Sequence, residues 1–247
     1  MTEMAILNDV TRCMGCKACQ TACKQWNELP AEETKFQDTG SYQNPADLSR
    51  ITWNLLQFTE WEDGDEVNWE FSRRACVHCT DAHCIDICPP EAISHTEEGF
   101  VLIDREECVA CGMCEEACPY DVPNVEEIAA KCTFCVDRVR NNLEPACVKA
   151  CSTDALIYGE RDHLLERAHA AADEDPDYRV YGDEELEGLH VIYVLPGESE
   201  RFQLSRDPRP GDMVYLLKAL KYCLPGSWAC KVGAKLIDGS QKRKKRG

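Results

Sequence analysis

"CPPEAISHTEEGFVLIDREECVACGMCEEACP", residues 88–119, joins two thiol-rich loops through the pattern of a β-hairpin. A cysteine ends the first loop and a short helical start follows it. Glu98 and Gly99 then mark a turn before a strand with apolar Val101 and Ile103. Four more cysteines follow within eleven positions. The stretch therefore predicts a hairpin held between two clusters of thiols.

The same grouping of cysteines recurs along the whole chain. It has 247 residues and eighteen cysteines, several times ordinary usage, and sixteen of them form four groups. Every group begins with a gap of two residues and ends with a gap of three. The groups are Cys13, Cys16, Cys19 and Cys23; Cys76, Cys79, Cys84 and Cys88; Cys108, Cys111, Cys114 and Cys118; and Cys132, Cys135, Cys147 and Cys151. Cys223 and Cys230 stand apart and are expected to be free or buried thiols.

The N-terminal residues "MTEMAILNDV" do not have the basic and apolar segments of a secretory signal. The longest apolar runs, such as "VIYVL" at 191–195, are far shorter than the roughly 20 residues that span a bilayer. We therefore expect a cytoplasmic chain with no export signal of its own and no transmembrane span. In a reducing compartment, dense Cys-x-x-Cys spacing favours metal ligation over disulfides.

The spacing within the groups favours iron–sulfur clusters over zinc. Four-cysteine zinc sites usually consist of two Cys-x2-Cys pairs separated by a longer spacer. Here three thiolates can converge on a [4Fe-4S] cubane, while a fourth cysteine reaches a second cluster, as in bacterial ferredoxins. Cys88 and Cys118 also precede a proline, as is usual in ferredoxins, whereas Cys23 and Cys151 do not. A zinc-binding protein without a redox role is the alternative from another class.

The ferredoxin rule predicts that the groups pair in a nested order, the second with the third and the first with the fourth. The stretch "CSTDALIYGE" after the fourth group resembles the exit from the second group and supports this order. The fourth cysteines are exchanged within each pair, which gives four ligand sets. They are Cys13, Cys16, Cys19 and Cys151 (set 1); Cys76, Cys79, Cys84 and Cys118 (set 2); Cys108, Cys111, Cys114 and Cys88 (set 3); and Cys132, Cys135, Cys147 and Cys23 (set 4). They are the predicted iron ligands of clusters 1 to 4.

The sequence predicts no catalytic site on this chain. It contains neither a Walker loop nor a GxGxxG motif. His78 and His83 adjoin predicted ligands, and we expect them to be packed loop residues rather than proton carriers or ligands. Because four cysteine ligands leave no iron open to a substrate, the chain is expected to conduct electrons between sites on other chains. The formal net charge of −18 argues against a nucleic-acid partner.

The predicted fold class is α+β, with two ferredoxin-like modules, loop-rich insertions and a C-terminal helical extension. Four tryptophans lie between the first and second groups, near a predicted turn at Asp63 and Gly64. We expect their side chains in the core, with a protein interface as the second choice. The expected units are an outer module (1–23 and 124–160), an aromatic-rich insertion with a hairpin (24–75), an inner module (76–123), a scaffold with an acidic helix and a strand (161–211), and a docking helix with a basic tail (212–247).

Residues 16–53, "CKACQTACKQWNELPAEETKFQDTGSYQNPADLSRITW", closely resemble the start of the iron–sulfur (beta) subunit of molybdenum- or tungsten-dependent formate dehydrogenases. The resemblance extends to about residue 195 through "ACPYDVPNV", "KCTFCVDRV", "LEPACVKACSTDALIYG" and "GLHVIYVL". The cysteine spacing alone is typical of the wider superfamily of four-cluster subunits of molybdopterin oxidoreductases.

The resemblance implies four [4Fe-4S] clusters and a large catalytic subunit that carries molybdopterin or tungstopterin. This chain would relay single electrons between that subunit and an external acceptor, or a further subunit that binds the C-terminal helix. The same role in another molybdopterin oxidoreductase or a hydrogenase is the alternative. The chain would be periplasmic if it were exported together with the catalytic subunit.

Overall fold

The computed structural model describes residues 2–35, 41–210 and 214–215. These residues form ten strands and six α-helices. The strands are β1 (Met4–Asp9), β2 (Asn54–Asp63), β3 (Glu66–Ala75), β4 (Ile93–His95), β5 (Val101–Ile103), β6 (Asn124–Val125), β7 (Ala129–Ala130), β8 (Leu156–Glu160), β9 (Tyr178–Tyr181) and β10 (Val191–Pro196). The helices are α1 (Ala18–Trp26), α2 (His83–Asp86), α3 (Met113–Ala117), α4 (Val136–Val139), α5 (Ala146–Lys149) and α6 (Arg161–Ala172).

A four-stranded sheet joins the two ends of the described chain, in the order β8-β1-β10-β9. Its central strands β1 and β10 are parallel, with Ile6 opposite Val191, and the two edge strands are antiparallel to them. Both central strands are buried on both faces, which explains their nearly continuous apolar sequences.

The two faces of this sheet belong to different cores. One face packs against α6. That small core contains no cysteine and consists of Ala5, Leu7, Leu164, Ala168, Ile192 and Val194. The opposite face, through Ile6, Val191 and Tyr193, joins the main core, which contains Cys19 and Cys147. The helix α6 is therefore a support behind the sheet, and the cysteine groups lie on the other side.

The sheet also fixes where the cysteine loops begin and end. The strand β1 ends at Asp9, four positions before the first group, and β8 begins at Leu156, five positions after the fourth group. The backbone N–H of Asp9 donates to the carbonyl of Ala155 at 2.8 Å. The second group is held near β10, because the N–H of His190 donates to the carbonyl of Val77 at 3.1 Å.

Three antiparallel hairpins complete the described fold: β2–β3, β4–β5 and β6–β7. In β4–β5, Ile93 lies opposite Ile103, so the hairpin predicted around Glu98 and Gly99 is confirmed. In β2–β3, Asp63 pairs with Glu66, which makes Gly64 and Asp65 the loop. The turn therefore lies one residue later than predicted.

The core position expected for the four tryptophans of residues 24–75 is wrong. Trp26 and Trp69 are 42% and 47% exposed, and Trp53 and Trp61 are only half-buried. The Arg138 guanidinium lies 4.2 Å from the centroid of the Trp26 ring. A tryptophan can bury one ring face under a cation and keep its edge in water, so aromatic residues need not enter a core.

The predicted docking helix and basic tail, with Cys223 and Cys230, lie outside the described residues, apart from Val214 and Tyr215. Within the part of the chain that the structure describes, no helix combines the length and apolar character needed to cross a membrane.

The tip of the β4–β5 hairpin leaves no room for a side chain at Gly99. Its φ is +90°, and a Cβ there would lie 2.2 Å from Cε1 of His190, whose Nδ1 is 2.8 Å from the carbonyl oxygen of Met4. Gly64 is also left-handed, at +63°, but nothing lies within 4 Å of its Cβ position.

We expect Gly99→Ala to lower the free energy of unfolding by about 3 kcal/mol, from backbone strain and overpacking together. The control Gly64→Ala should lower it by about 1 kcal/mol, from strain alone. Denaturant unfolding of the two purified variants measures the difference. Equal losses would show that the contact with His190 is not a close one.

Candidate metal centres

About one helical turn connects the third and fourth cysteines of every group. The connected pairs are Cys19 and Cys23 on α1, Cys84 and Cys88 at α2, Cys114 and Cys118 at α3, and Cys147 and Cys151 at α5. Residues four apart lie on the same side of a helix, displaced by about 6 Å along its axis. The three-residue gap therefore points two thiols toward neighbouring but different positions.

A left-handed residue stands just before the second cysteine of every group. These residues are Gly15, His78, Ala110 and Phe134, with φ of 74°, 50°, 51° and 57°. Left-handed turns can direct successive backbone N–H groups into one concavity, a feature of many iron–sulfur sites. For bulky His78 and Phe134 this conformation is unfavourable, and it persists only where the surrounding structure requires it.

One cavity is lined by all four cysteines of set 4: Cys23, Cys132, Cys135 and Cys147. Burial raises the pKa of the Cys23 thiol well above its usual value, and the nearby thiols of Cys132, Cys147 and Cys135 raise it further. The helix α1 thus carries a cysteine of the first group into the loops of the fourth group.

A second cavity is lined by the cysteines of set 1: Cys13, Cys16, Cys19 and Cys151. Burial raises the pKa of the Cys13 thiol, and Cys151 and Cys16 also raise it. The exchange is therefore reciprocal, since Cys151 of the fourth group lies with three cysteines of the first.

The inner groups show the same exchange at set 2. Burial raises the pKa of the Cys79 thiol well above its usual value, and Cys76, Cys118 and Cys84 raise it further. Of these, Cys118 belongs to the third group in sequence. Burial also raises the pKa of Cys118 itself to about 11.

Set 3 completes the pattern. The pKa of Cys114 is raised to about 12 by burial and then by Cys111, Cys88 and Cys108. Here Cys88 comes from the second group. In the structure, each fourth cysteine thus lies beside the partner group that the nested pairing predicted for it.

The raised pKa values have a chemical consequence. Metal ligation needs the thiolate form, and a buried ring of thiolates is stable only when positive charge compensates it. Bound iron supplies such charge and couples metal binding to folding. The donor set, four sulfurs at each position, suits iron–sulfur clusters.

The sulfurs are too far apart for a single zinc ion. Tetrahedral Zn–S bonds of about 2.3 Å require sulfurs about 3.8 Å apart. Among the described residues, one group of three or more candidate ligands has all its donor atoms within 4.8 Å of one another, and it is Asp81, His83 and Asp86. No three sulfurs of a described cysteine set meet that limit, which favours a larger inorganic core at each set.

Two buried cations lie among these cysteines, and the sequence pattern did not reveal them. Arg73 on β3 is 2% exposed, and its Nη2 lies 3.7 Å from Sγ of Cys132. Lys131 is 4% exposed, and its Nζ donates to the carbonyls of Val101 and Cys132. Each stands shortly before a cysteine group, which is the one signal that the sequence offered.

The histidines next to the ligands are both packed, His78 in a loop as expected and His83 at the first residue of α2 rather than in a loop. His78 is fully buried, and its Nδ1 accepts a hydrogen bond from the N–H of Val101 at 3.1 Å. Burial lowers the pKa of His78 well below its usual value, so its ring is neutral. His83 is also buried, with its Nδ1 3.9 Å from a carboxylate oxygen of Asp81.

Two family models, each described as a 4Fe-4S dicluster domain, match residues 12–92 and 67–161. Together they cover all four cysteine groups. The first match contains the first and second groups, which are consecutive in sequence. In the structure, however, the first group lies with the fourth and the second with the third, so the two groups within this match are not a spatial pair.

Curated relatives include two subunits from Escherichia coli. The iron–sulfur subunit of the nitrate-inducible formate dehydrogenase is 39% identical over 89% of this chain and 78% of its own length. The iron–sulfur subunit of formate dehydrogenase-O is 39% identical over 78% of this chain and 67% of its own.

Formate dehydrogenase 2 subunit beta (cytochrome c-553) of Nitratidesulfovibrio vulgaris is 35% identical over 80% of this chain and 95% of its own length. These similarities agree with the cysteine geometry and the dicluster domains. The chain therefore belongs to the family of formate dehydrogenase iron–sulfur subunits and is an electron-transfer protein that binds [4Fe-4S] clusters.

Proposed function

We propose that the chain relays single electrons through four [4Fe-4S] clusters, between the molybdopterin or tungstopterin catalytic subunit of a formate dehydrogenase and a further acceptor. The observation that carries the proposal is the reciprocal exchange of the fourth cysteine within each pair of groups. When bound, each cluster takes up and gives back one electron. The thiols of sets 1 to 4 would hold the clusters, and about one helical turn in each group fixes the spacing between its third and fourth thiols.

The contacts between the sets support the order 1, 4, 2, 3. Sets 1 and 4 share α1, which carries Cys19 and Cys23. Lys131 interacts electrostatically with Cys76 and Cys84 of set 2 and with Cys132 of set 4. Sets 2 and 3 meet where Cys84 interacts with Cys114. Each contact connects neighbours in the proposed row.

Both ends of this row have exposed residues beside their cysteines. Cys16 is the exposed member of the sixteen cysteines, and Met14 beside it is 61% exposed. At the other end Val109, next to Cys108, is 65% exposed. Exposed apolar side chains beside a redox centre suit contact with a partner protein.

We assign the catalytic subunit to the end at set 1. There the aromatic side of β3 adjoins the first cysteine loop, because a Cβ on Gly15 would lie 3.0 Å from the Phe71 ring. Trp69 packs against Phe71 with ring centroids 6.3 Å apart, and exposed Tyr42 lies 5.8 Å from Trp69. Aromatic residues are enriched in protein interfaces.

We assign the further acceptor or subunit to the end at set 3, on the side of the C-terminal segment. Val214 is buried against Ile87, Met113 and Ala117, next to the helix that carries Cys114. The proposed docking helix would thus begin beside the last cluster. Because iron is inserted onto reduced thiols, we assign cluster assembly to the cytoplasm.

The test is anaerobic purification followed by analysis of iron and acid-labile sulfide, each expected at about sixteen per chain. With the catalytic subunit present, formate should bleach the brown colour as fully as dithionite does. A colourless, zinc-loaded protein would contradict the cluster proposal. Bleaching by hydrogen or another substrate, but not by formate, would instead assign the relay to a different enzyme.

A further inference from the structure

We infer that Arg73 and Lys131 raise the reduction potentials of the clusters beside them: Arg73 those of clusters 1 and 4, and Lys131 those of clusters 4 and 2. The inference rests on the proposed four-cluster function and adds to it which side chains set the potentials along the row.

Arg73 lies between two cluster cavities, because its side chain lines both the cavity of set 1 and the cavity of set 4. It interacts electrostatically with Cys147 and Cys132 of set 4 and with Cys19 of set 1. Its Nε and Nη1 are buried and have no hydrogen-bond partner within the described protein. Two unpartnered guanidinium nitrogens beside two thiol-lined cavities suit donation to the sulfur of bound clusters.

Lys131 lies in a similar way between set 4 and set 2. Its ammonium group interacts electrostatically with Cys76 and Cys84 of set 2. It also lies directly beside Cys132 of set 4, whose carbonyl accepts from Nζ at 3.2 Å. Among the described residues, Arg73 and Lys131 are the buried arginine and lysine side chains. Cluster 3 therefore has no such neighbour in this part of the chain.

The physical effect follows from charge and burial. A cluster gains one negative charge on reduction, and a fixed positive charge nearby stabilises that reduced form. The interaction is stronger in the protein interior than in water, because the interior screens charge less. Hydrogen bonds from the same cation to the sulfurs act in the same direction. Cluster 4 lies beside both cations, and its reduction potential should be raised the most.

The test compares three full-length chains purified without oxygen: the native chain, Arg73→Gln and Lys131→Gln. Redox titration followed by electron paramagnetic resonance gives four reduction potentials for each. We expect two potentials to become more negative in each variant. One potential, that of cluster 4, should shift in both variants and shift furthest in the double variant. The fourth, that of cluster 3, should stay unchanged.

Two further variants separate charge from packing. Arg73→Lys keeps the charge and should return the potentials toward the native values, which a purely structural role of Arg73 would not produce. Lys149→Gln removes an exposed charge on α5, between Cys147 and Cys151, and should leave all four potentials unchanged. If Arg73→Gln loses iron, Arg73→Met is titrated in its place, and Lys131→Gln tests the second junction independently.

The outcomes distinguish the inference from the proposed function. Four native potentials that stay unchanged in both glutamine variants would overturn the inference and leave the relay intact. A uniform shift of all four potentials would also overturn it, since it would indicate a general change of structure. A native chain with fewer than four reduction steps would contradict the proposed function itself.

Discussion

Replacing Cys23 with alanine is expected to remove cluster 4 and leave cluster 1 in place. Cys23 shares a sequence group with three ligands of set 1, yet it lies in the cavity with Cys132, Cys135 and Cys147. We expect the iron content to fall from about sixteen to about twelve per chain. Because cluster 4 lies inside the proposed row, the chain should also lose electron transfer between its two ends.

The matched variant is Cys16→Ala, which removes a ligand of set 1 from the same sequence group as Cys23. Both variants should lose about four iron atoms, but they should lose different resonance signals. In Cys16→Ala, the far clusters should still be reducible by dithionite, whereas reduction through the catalytic subunit should fail. Loss of the same signal in both variants would contradict the exchange and return Cys23 to cluster 1.

Local spacing was sufficient to predict the cysteine loops and the β4–β5 hairpin. The gap of three residues determines how far apart two thiols stand on a helical turn, whatever the rest of the chain does. Likewise, a turn signal at Gly99 between short apolar segments determines a hairpin over a few residues. Such features depend on interactions between near neighbours, which the sequence displays directly.

The central sheet was not predictable in the same way. Its parallel pair joins Ile6 to Val191, residues far apart in the sequence. The apolar run at 191–195 indicated a strand but not its partner, because parallel pairing depends on the path of all the chain between the two strands. The nested order of the cysteine groups was the one clue that these two distant segments meet.

The burial of Arg73 and Lys131 could not be predicted, because charged side chains are ordinarily exposed. They are buried here beside thiols that would carry negative charge once they ligate clusters, and that charge would compensate the two cations. The prediction for the tryptophans failed in the opposite direction, because residues expected in the core lie at the surface. Their apolar rings suggested a core, but cations such as Arg138 cover a ring face at the surface instead.

Removal of iron is expected to unfold the cluster-binding part of the chain. The main core contains cysteines of both outer sets, so it is built around the ligands themselves. Without iron, the buried thiols have raised pKa values and are neutral near pH 7, as the shift of Cys19 to about 12 illustrates. Arg73 would then be a buried charge without compensation, a loss of about 3–5 kcal/mol. That is a large part of the stability of a typical domain.

The measurement is hydrogen exchange and near-ultraviolet circular dichroism, before and after oxidative removal of iron with a chelator. We expect protection to disappear first in the cysteine loops, including α1 and α5. It should persist longest in β1, β10 and α6, whose shared core contains no cysteine. An iron-free chain that keeps its native spectrum and full protection would contradict the coupling of folding to cluster binding.

A single substitution separates the cost of the uncompensated charge from the loss of cluster bonds. Arg73→Met removes the charge and keeps an apolar side chain of similar length. With iron bound, this variant should be less stable than the native chain, because Arg73 no longer balances the thiolates. Without iron, its backbone amides should be better protected against hydrogen exchange than those of the native chain, because no unpaired charge has to be buried. This reversal is expected only if the buried guanidinium depends on the clusters for its compensation.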